Sequence, residues 1–378
     1  MSDTLGQRVA WIDGIRSAQR KLRLVPASGL TIARITSAAA LDSLRADYDE
    51  LNRVSSLALP FTLLEWHRAW CASFLAATGA REDSLLVYVV RLTTGRCVGI
   101  VPMVHTRRSV GPFKVRSLAL LGADRALTEI RMPLIAPGYD AVIARMVQQQ
   151  LGTIGRWDWI QWIGASPAFG RGLALSAELR WQQPIVDYVL DLPADWETFR
   201  KNLKRNIRES LRHCYNSLKR DQREFSLRVL DSPKDIAGGL EVFLHEVCAQ
   251  LAARRITRVF QLIVDGQIVA TRIGFVMGDS LYLYYSGFDP AFARYSVMTT
   301  TLAEIIKYAI AGGIRLINLS PGTDVGKTRW GPREVPISQL LQVEQRWRSK
   351  AARAAYEFVR SGTGWITKAV GRSQRPRS

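Results

Sequence analysis

Two short turns of one type govern how this chain is organised. Thr94-Gly95 separates an apolar run over Leu85–Leu92 from a second over Cys97–Val104, and Asp265-Gly266 separates Val259–Val264 from Ile268–Met277. Glycine in so tight a connection supplies the positive φ that a hairpin needs. By subtraction Gly95 and Gly266 stand 171 positions apart. The segments after the two hairpins also match. In the first half an apolar strand ends in Leu121-Gly122-Ala123-Asp124, then come a helical stretch (Ala141–Leu151) and an alternating strand (Trp157–Ile163). In the second half Leu281–Gly287, Met298–Ala311 and Ile314–Ser320 repeat that order, with Gly122 and Gly287 165 positions apart. A near-constant offset predicts a duplicated unit of strands and helices; the competing explanation is chance, because strand–turn–strand is a common local pattern.

The fold class expected is therefore α/β with mixed sheets, in two tandem units. Helix candidates over Leu41–Leu51 and Glu65–Leu75 precede the first strand pair. The expected organisation is a basic leader over 1–29, a first domain over 30–190, a second over 195–340 and a basic amphipathic tail over 341–378. A chain of 378 residues with 47% hydrophobic content is long enough for two cores and excludes wholesale disorder.

Several function classes are excluded by absent patterns. Cys71, Cys97, Cys214 and Cys248 are far apart, as are His67, His105, His213 and His245, so no CxxC, HExxH or HxH spacing exists and no metal site is expected. No GxSxG, GxxxxGK[ST] or GxGxxG motif occurs either. The first thirty residues lack a signal peptide's apolar stretch, and no apolar run approaches the roughly 20 residues of a membrane helix. The compartment expected is the cytoplasm, with peripheral contact at the inner membrane.

Charge marks two segments. The chain carries 52 Lys+Arg against 33 Asp+Glu, a formal net charge of +19. Over Phe199–Arg223 nine cations oppose only Glu209 and Asp221, while Leu203, Ile207, Leu211 and Leu218 form an apolar stripe at helical spacing. Such a helix suits an anionic ligand, a nucleic acid or a membrane surface, or is simply a solvated face. The tail interleaves Trp347, Tyr356, Phe358 and Trp365 with cations, a pattern that suits an anionic membrane surface; Gly362 and Gly364 break its helix.

The stretch Leu281–Trp330 is the most informative chemically. A Tyr-rich strand (Tyr282, Tyr284, Tyr285) enters Ser286-Gly287-Phe288-Asp289-Pro290, then Ala293-Arg294-Tyr295-Ser296 and a helix opened by Thr299, Thr300 and Thr301. A strand–loop–helix passage gathers free N–H groups and a positive dipole end at one point, where a phosphate or pyrophosphate would bind. Arg294 adds charge and Ser296 and Thr299 add donors; the plainer reading is an ordinary N-cap. The next strand carries a polar Asn318, either a structural bracket or a substrate-facing group. It runs into Ser320-Pro321-Gly322-Thr323-Asp324, where Lys327 and Arg329 either neutralise an anion or are solvated.

Taken together, Asp265–Ala270, Tyr285-Ser286-Gly287-Phe288-Asp289, Ala293–Ser296, the Leu302–Ala311 helix, Gly313 with Ile317-Asn318, and Gly322 with Lys327 and Arg329-Trp330 resemble the CelD/BcsL-type acetyltransferases. These belong to the GNAT superfamily and are related to FemAB-like transferases. The resemblance implies two GNAT-like domains, acetyl-CoA or another acyl-CoA as the small-molecule donor, and an amine or sugar-linked acceptor in exopolysaccharide, cellulose or envelope metabolism. It implies that Ser286, Gly287, Arg294, Tyr295, Ser296 and Thr299 hold the coenzyme, with Asn318, Gly322, Lys327, Arg329 and Trp330 bordering the cleft. This chain has Val297-Met298 where the family has Pro-Gly, Asn318 where an Asp is usual, and a shortened passage from Gly239-Leu240-Glu241-Val242 into Phe243-Leu244-His245-Glu246.

Direct attack of an amine on a thioester needs a base, oxyanion donors and an acid for the thiolate. Backbone N–H groups around Tyr285–Gly287 are the expected oxyanion donors, and Tyr284 or Tyr285 the acid. The base is left open between Glu304 and His245, neither strongly marked. The alternatives are a non-catalytic scaffold binding an anionic polymer or membrane, and a FemAB-like aminoacyl transfer. Nucleic acid is not expected as a partner, because no aromatic–basic recognition motif is present.

Overall fold

In a computed structural model the described residues are 29–358, apart from 56, 76–80, 111–112, 124–126, 174–177 and 234–241. The leader before residue 29, Asp124, the 239–241 passage and the tail beyond residue 358 lie outside the described residues, as does the side chain of His245.

Both halves share one mixed sheet. The first half contributes β1 (Leu30–Ile35), β2 (Arg81–Leu92), β3 (Cys97–Val110), β4 (Phe113–Leu120), the short β5 (Leu134–Ile135), β6 (Trp159–Ile163) and β7 (Glu178–Asp191). The second contributes β8 (Phe225–Leu230), β9 (Thr257–Val264), β10 (Gln267–Met277), β11 (Ser280–Phe288), β12 (Leu316–Asn318) and β13 (Arg333–Val343). Strand order is β1-β2-β3-β4-β6-β13-β7-β12-β11-β10-β9-β8, with β5 beside β3. That order is a mirror about the β13–β7 contact. β4 runs parallel to β6, β11 runs parallel to β12, and the neighbours around each pair are antiparallel.

The last strand of each half has crossed over. β7, which ends the first half, pairs β12 of the second, while β13 pairs β6 of the first and runs along β7. The near-constant offset of the turns thus corresponds to a repeated strand order. In register, however, Ala119↔Gln161 in the first half answers Tyr282↔Asn318 in the second, so Gly122 corresponds to Tyr285 and not to Gly287. The offset falls below that of the hairpin turns because β3 (14 residues) is longer than β10 (11 residues).

Helices cover the sheet: α1 (Arg45–Val54), α2 (Leu64–Phe74), α3 (Asp140–Leu151), α4 (Pro167–Leu173), α5 (Trp196–Asn202), α6 (Arg205–Arg220), α7 (Val242–Ala253), α8 (Val297–Ala311) and α9 (Val325–Thr328). The stretch expected as one basic helix over 199–223 is two, α5 and α6. Leu203 between them takes an extended conformation (φ −68°, ψ 147°) and is buried, so packing of one leucine outweighs local helical propensity. Asp195 caps α5 by accepting from the Thr198 N–H at 2.8 Å. A final helical stretch over 347–358 docks Ala352 and Tyr356 on Val115, Trp159, Leu341 and Val343. Among the described residues no helix is long and apolar enough to cross a membrane.

The largest core is common to both halves. Trp66 of α2 meets Phe61, Phe275 and Tyr284 edge-on, with ring centroids 4.7, 6.2 and 5.8 Å apart, and Phe61 also meets Tyr282 at 5.3 Å. At its rim Arg254, just after α7, bridges Glu65 (3.0 Å) and Asp49 (2.8 Å) of the first half. Truncating Trp66 to Ala would leave a cavity at this junction and is expected to cost about 3–5 kcal/mol. Urea unfolding of Trp66→Ala should show that loss in a single transition; two separated transitions in the parent would contradict a shared core.

Candidate functional site

The parallel pairing of β11 with β12 ends at Tyr282↔Asn318. Beyond it β11 continues to Phe288 while the chain after β12 turns off into the 319–324 loop, so the two strands part and one edge of β11 opens. On its other edge the register with β10 slips between Arg272 and Gly274, where the single residue Ile273 faces Tyr284 and Tyr285. This is a β-bulge, and it re-aims backbone groups beside an open wedge. Bulge and splay together leave this end of β11 outside the β12 ladder.

Around the wedge lies a buried polar cluster drawn from both halves. Glu129, on the loop after β4, accepts a hydrogen bond from the Tyr282 hydroxyl at 2.6 Å. Its other oxygen takes no hydrogen bond among the described residues. Burial pushes the Glu129 carboxyl up, against the opposing pull of Tyr282, Lys327 and Arg272. Arg272 of β10 is 7% exposed, its Nε has no hydrogen-bond partner among the described residues, and burial lowers it to about 10. Asp187 of β7 is fully buried; it accepts from the Asn318 amide at 2.5 Å and from the Tyr188 N–H at 3.1 Å. Desolvation raises its carboxyl to about 6.

Asn318 is thereby placed as a bracket: its Nδ2 donates to Asp187 and its Oδ1 accepts from the Ser320 N–H at 2.8 Å. Lys327 ties down its own loop, donating to Ser320 Oγ (2.9 Å) and the Pro321 carbonyl (2.8 Å), and its charge reaches Glu129 and Asp187. Gly322 has φ +123°, a conformation L side chains rarely adopt, which is the reason for glycine there. Trp330 does not border the wedge; it is buried in the core under α5, stacked on Phe199. Arg329 is half-buried and its charge acts on the Cys214 thiol.

Tyr284 is buried with its hydroxyl donating to the Leu127 carbonyl, and burial pushes it far above the ordinary phenol range. Tyr285 is 43% exposed and meets the Tyr284 ring at 4.4 Å. Ser286 and Gly287 lie on the exposed end of β11, paired with Arg272 and Thr271.

At the start of α8, Ser296 is left-handed (φ 51°, ψ 44°) and exposed, and its carbonyl accepts from the Thr299 N–H at 2.8 Å. The first two amides of the helix have no intrahelical acceptor. Arg294 lies over the Tyr295 ring at 4.7 Å and donates to its hydroxyl, which in turn donates to Asp221 at 3.0 Å. Tyr295 is buried by this arrangement. Cys214 of α6 packs beside Ser296 and Thr300, with its thiol raised by burial. Glu304 is engaged by Tyr215 (2.6 Å) and Lys307 (2.8 Å), facing α6 and not the wedge. A separate groove of about 610 Å³ runs along α5 and α6 between Trp196, Tyr215 and the cations Arg200, Arg205, Arg208 and Arg212.

Glu129, Asp187 and Arg272 have no counterpart among the residues singled out from sequence. Asp187 did carry a signal, an acidic residue inside the apolar run Ile185–Leu190. Glu129 carried none, because it acts on the half of the chain to which it does not belong.

Residues 198–328 match the sequence profile of the acetyltransferase (GNAT) domain. No curated protein matches the chain in sequence. Among solved structures it is similar to FemX, at 9% identity and TM-score 0.53, over 79% of this chain and 96% of FemX. It is also similar to the C-terminal domain of a putative lysylphosphatidylglycerol synthetase from Agrobacterium fabrum, at 14% identity and TM-score 0.48, over 85% of this chain and 95% of that one. At such identities the likeness to FemX speaks to the fold.

Asp187 sets a pH dependence. Its unfolded carboxyl gives up the proton near 3.8 and the folded one near 6. Between those values the folded state holds a proton that the unfolded state has lost, so stability falls as pH rises across the window and levels off above it. A window about two pH units wide corresponds to about 3 kcal/mol. Urea midpoints of Asp187→Asn and the parent, compared from pH 4 to 7, should diverge across that window; parallel curves would contradict the shift.

Proposed function

We propose that the protein is an acyl-CoA-dependent N-acyltransferase whose reaction centre is the wedge between β11 and β12. The observation that supports this most directly is the coincidence of three features at one point: the bulge at Tyr284–Tyr285, the end of the β11–β12 pairing, and the entry of Glu129. The acyl thioester lies along the open edge of β11, its carbonyl oxygen toward the bulge amides. The coenzyme's diphosphate reaches the exposed start of α8 at Ser296 and Thr299, with Arg294 swinging from Tyr295 to meet it.

The acceptor amine enters from the first-half side. Its nitrogen attacks the thioester carbon while Glu129 takes a proton from it, and the tetrahedral oxyanion is held by the bulge N–H groups and the buried Arg272 charge. The C–S bond then breaks and the departing thiolate takes a proton from the exposed Tyr285 hydroxyl, which water restores. A carboxylate with a raised pKa is the suited base, because it takes a proton near neutral pH more readily than an ordinary one. Asp187 and Asn318 position β12 and do not touch the reactants. The acceptor class proposed is an amine or amino sugar of envelope or exopolysaccharide metabolism.

Free-thiol release from acetyl-CoA with a panel of amine acceptors tests this reading. Glu129→Gln should lower kcat by roughly 10²–10⁴-fold with little change in KM for the coenzyme. The acidic limb of the parent's pH profile should lie above the ordinary carboxylate range. Wild-type protein that releases no thiol, or a variant that keeps full kcat, would refute it. The basic groove on α5–α6 favours a second reading, a scaffold for an anionic polymer; calorimetry showing no coenzyme binding at millimolar acetyl-CoA would select that one.

A further inference from the structure

The first half opens at the same topological point as the second. Its parallel pair β4–β6 ends at Ala119↔Gln161, in the register position where the second half has Tyr282↔Asn318. In the second half the large Tyr282 side chain fills that place. In the first half Ala119 leaves it vacant, and a cavity of about 250 Å³ lies there, with Ala119 and Gln161 in its wall. In sheets of this kind ligands settle where neighbouring strands part.

The cavity is lined with cations. Arg81 of β2, Arg108 of β3, Arg131 of the loop after β4 and Arg353 of the terminal helix all reach it, and Ser117 and Thr106 add hydroxyls. Antiparallel pairing places Arg81 opposite Arg108, two like charges side by side on one face, which is unfavourable unless an anion lies between them. Asp83 holds Arg81 at 2.9 Å and Glu357 holds Arg353 at 2.7 Å. Arg108 takes no carboxylate among the described residues. Its guanidinium lies 4.3 Å from the centre of the Tyr356 ring, and its Nε is buried without a hydrogen-bond partner there. A buried donor with no acceptor is unfavourable, more so when charged, and an anionic oxygen would relieve it. Arg353 lies over the Trp159 ring at 5.2 Å, so both guanidinium groups are held in place by aromatic faces.

We propose that this cavity is a binding site for a small phosphate-bearing ligand, either free phosphate or a phosphomonoester, closed over by the helix at 347–358. Planar guanidinium groups held on aromatic faces match the oxygens of phosphate bidentately. The volume of about 250 Å³ admits a phosphate group and a few further atoms. The site is independent of the acyl-transfer reading, since none of its residues lies in the β11–β12 wedge.

Calorimetric titration of the full-length protein with inorganic phosphate, and separately with glycerol 3-phosphate, tests it. One saturable site is expected, with affinity reduced about tenfold or more in Arg108→Gln and in Arg353→Gln and unchanged in Arg208→Gln on the α6 groove. Tighter binding of glycerol 3-phosphate than of phosphate would assign a phosphomonoester, and the reverse the free ion. Arg108→Lys, which retains the charge, keeps the comparison meaningful should Arg108→Gln unfold: it should bind more weakly than the parent with near-ultraviolet dichroism unchanged. Absence of a saturable site, affinity equal to the parent's in both Arg108→Gln and Arg353→Gln, or loss confined to Arg208→Gln would overturn the proposal.

Discussion

The contact between β13 and β7 holds the two halves of this molecule as one. Each strand closes the sheet of the half it does not follow in sequence, so neither half completes its own hydrogen-bond ladder. Removing either strand would expose an edge on both sides at once. The shared aromatic cluster of Trp66, Phe61, Phe275 and Tyr284 adds apolar burial across the same junction. Together these fix the loop carrying Glu129 against Tyr282, and the polar cluster of the wedge depends on that placement.

Buried charge in the wedge runs against stability. Asp187 and Glu129 are both raised by desolvation, and Arg272 is lowered by it. Replacing such buried charges by well-packed apolar residues is often neutral or stabilising. What the cluster supplies is a set of groups with proton affinities moved toward neutrality, positioned by strands and not by flexible loops. Asn318 illustrates the division of labour: its amide donates to Asp187 and its carbonyl oxygen accepts from the Ser320 N–H, so it holds two parts of the scaffold together.

Much of the architecture could be read from local signals, and the parts that could not share one cause. Gly95 and Gly266 announced both hairpins, and the apolar periodicity of Met298–Ala311 announced α8. β7 and β13 gave no such signal. Pro184 and Pro336 interrupt them, and proline ordinarily argues against a central strand; here Pro184 sits where the register of β7 with β13 slips, a bulge that tolerates it. The break between α5 and α6 has no glycine or proline; Leu203 and Lys204 are both extended there and Leu203 is buried. The strand–loop–helix passage through Arg294–Thr299 was legible because its residues are contiguous. Glu129 and Arg272 were not, because only tertiary pairing brings them beside Tyr282 and the bulge.

Strand exchange has a temporal meaning as well. During synthesis β6 must wait for β13, which leaves the ribosome some 170 residues later. Until then Trp159–Ile163, paired to β4 along one side, presents its other edge uncovered. At translation speeds of about 5–20 residues per second that vulnerable interval lasts on the order of ten to thirty seconds, long enough for chaperone capture to shape the yield of mature protein.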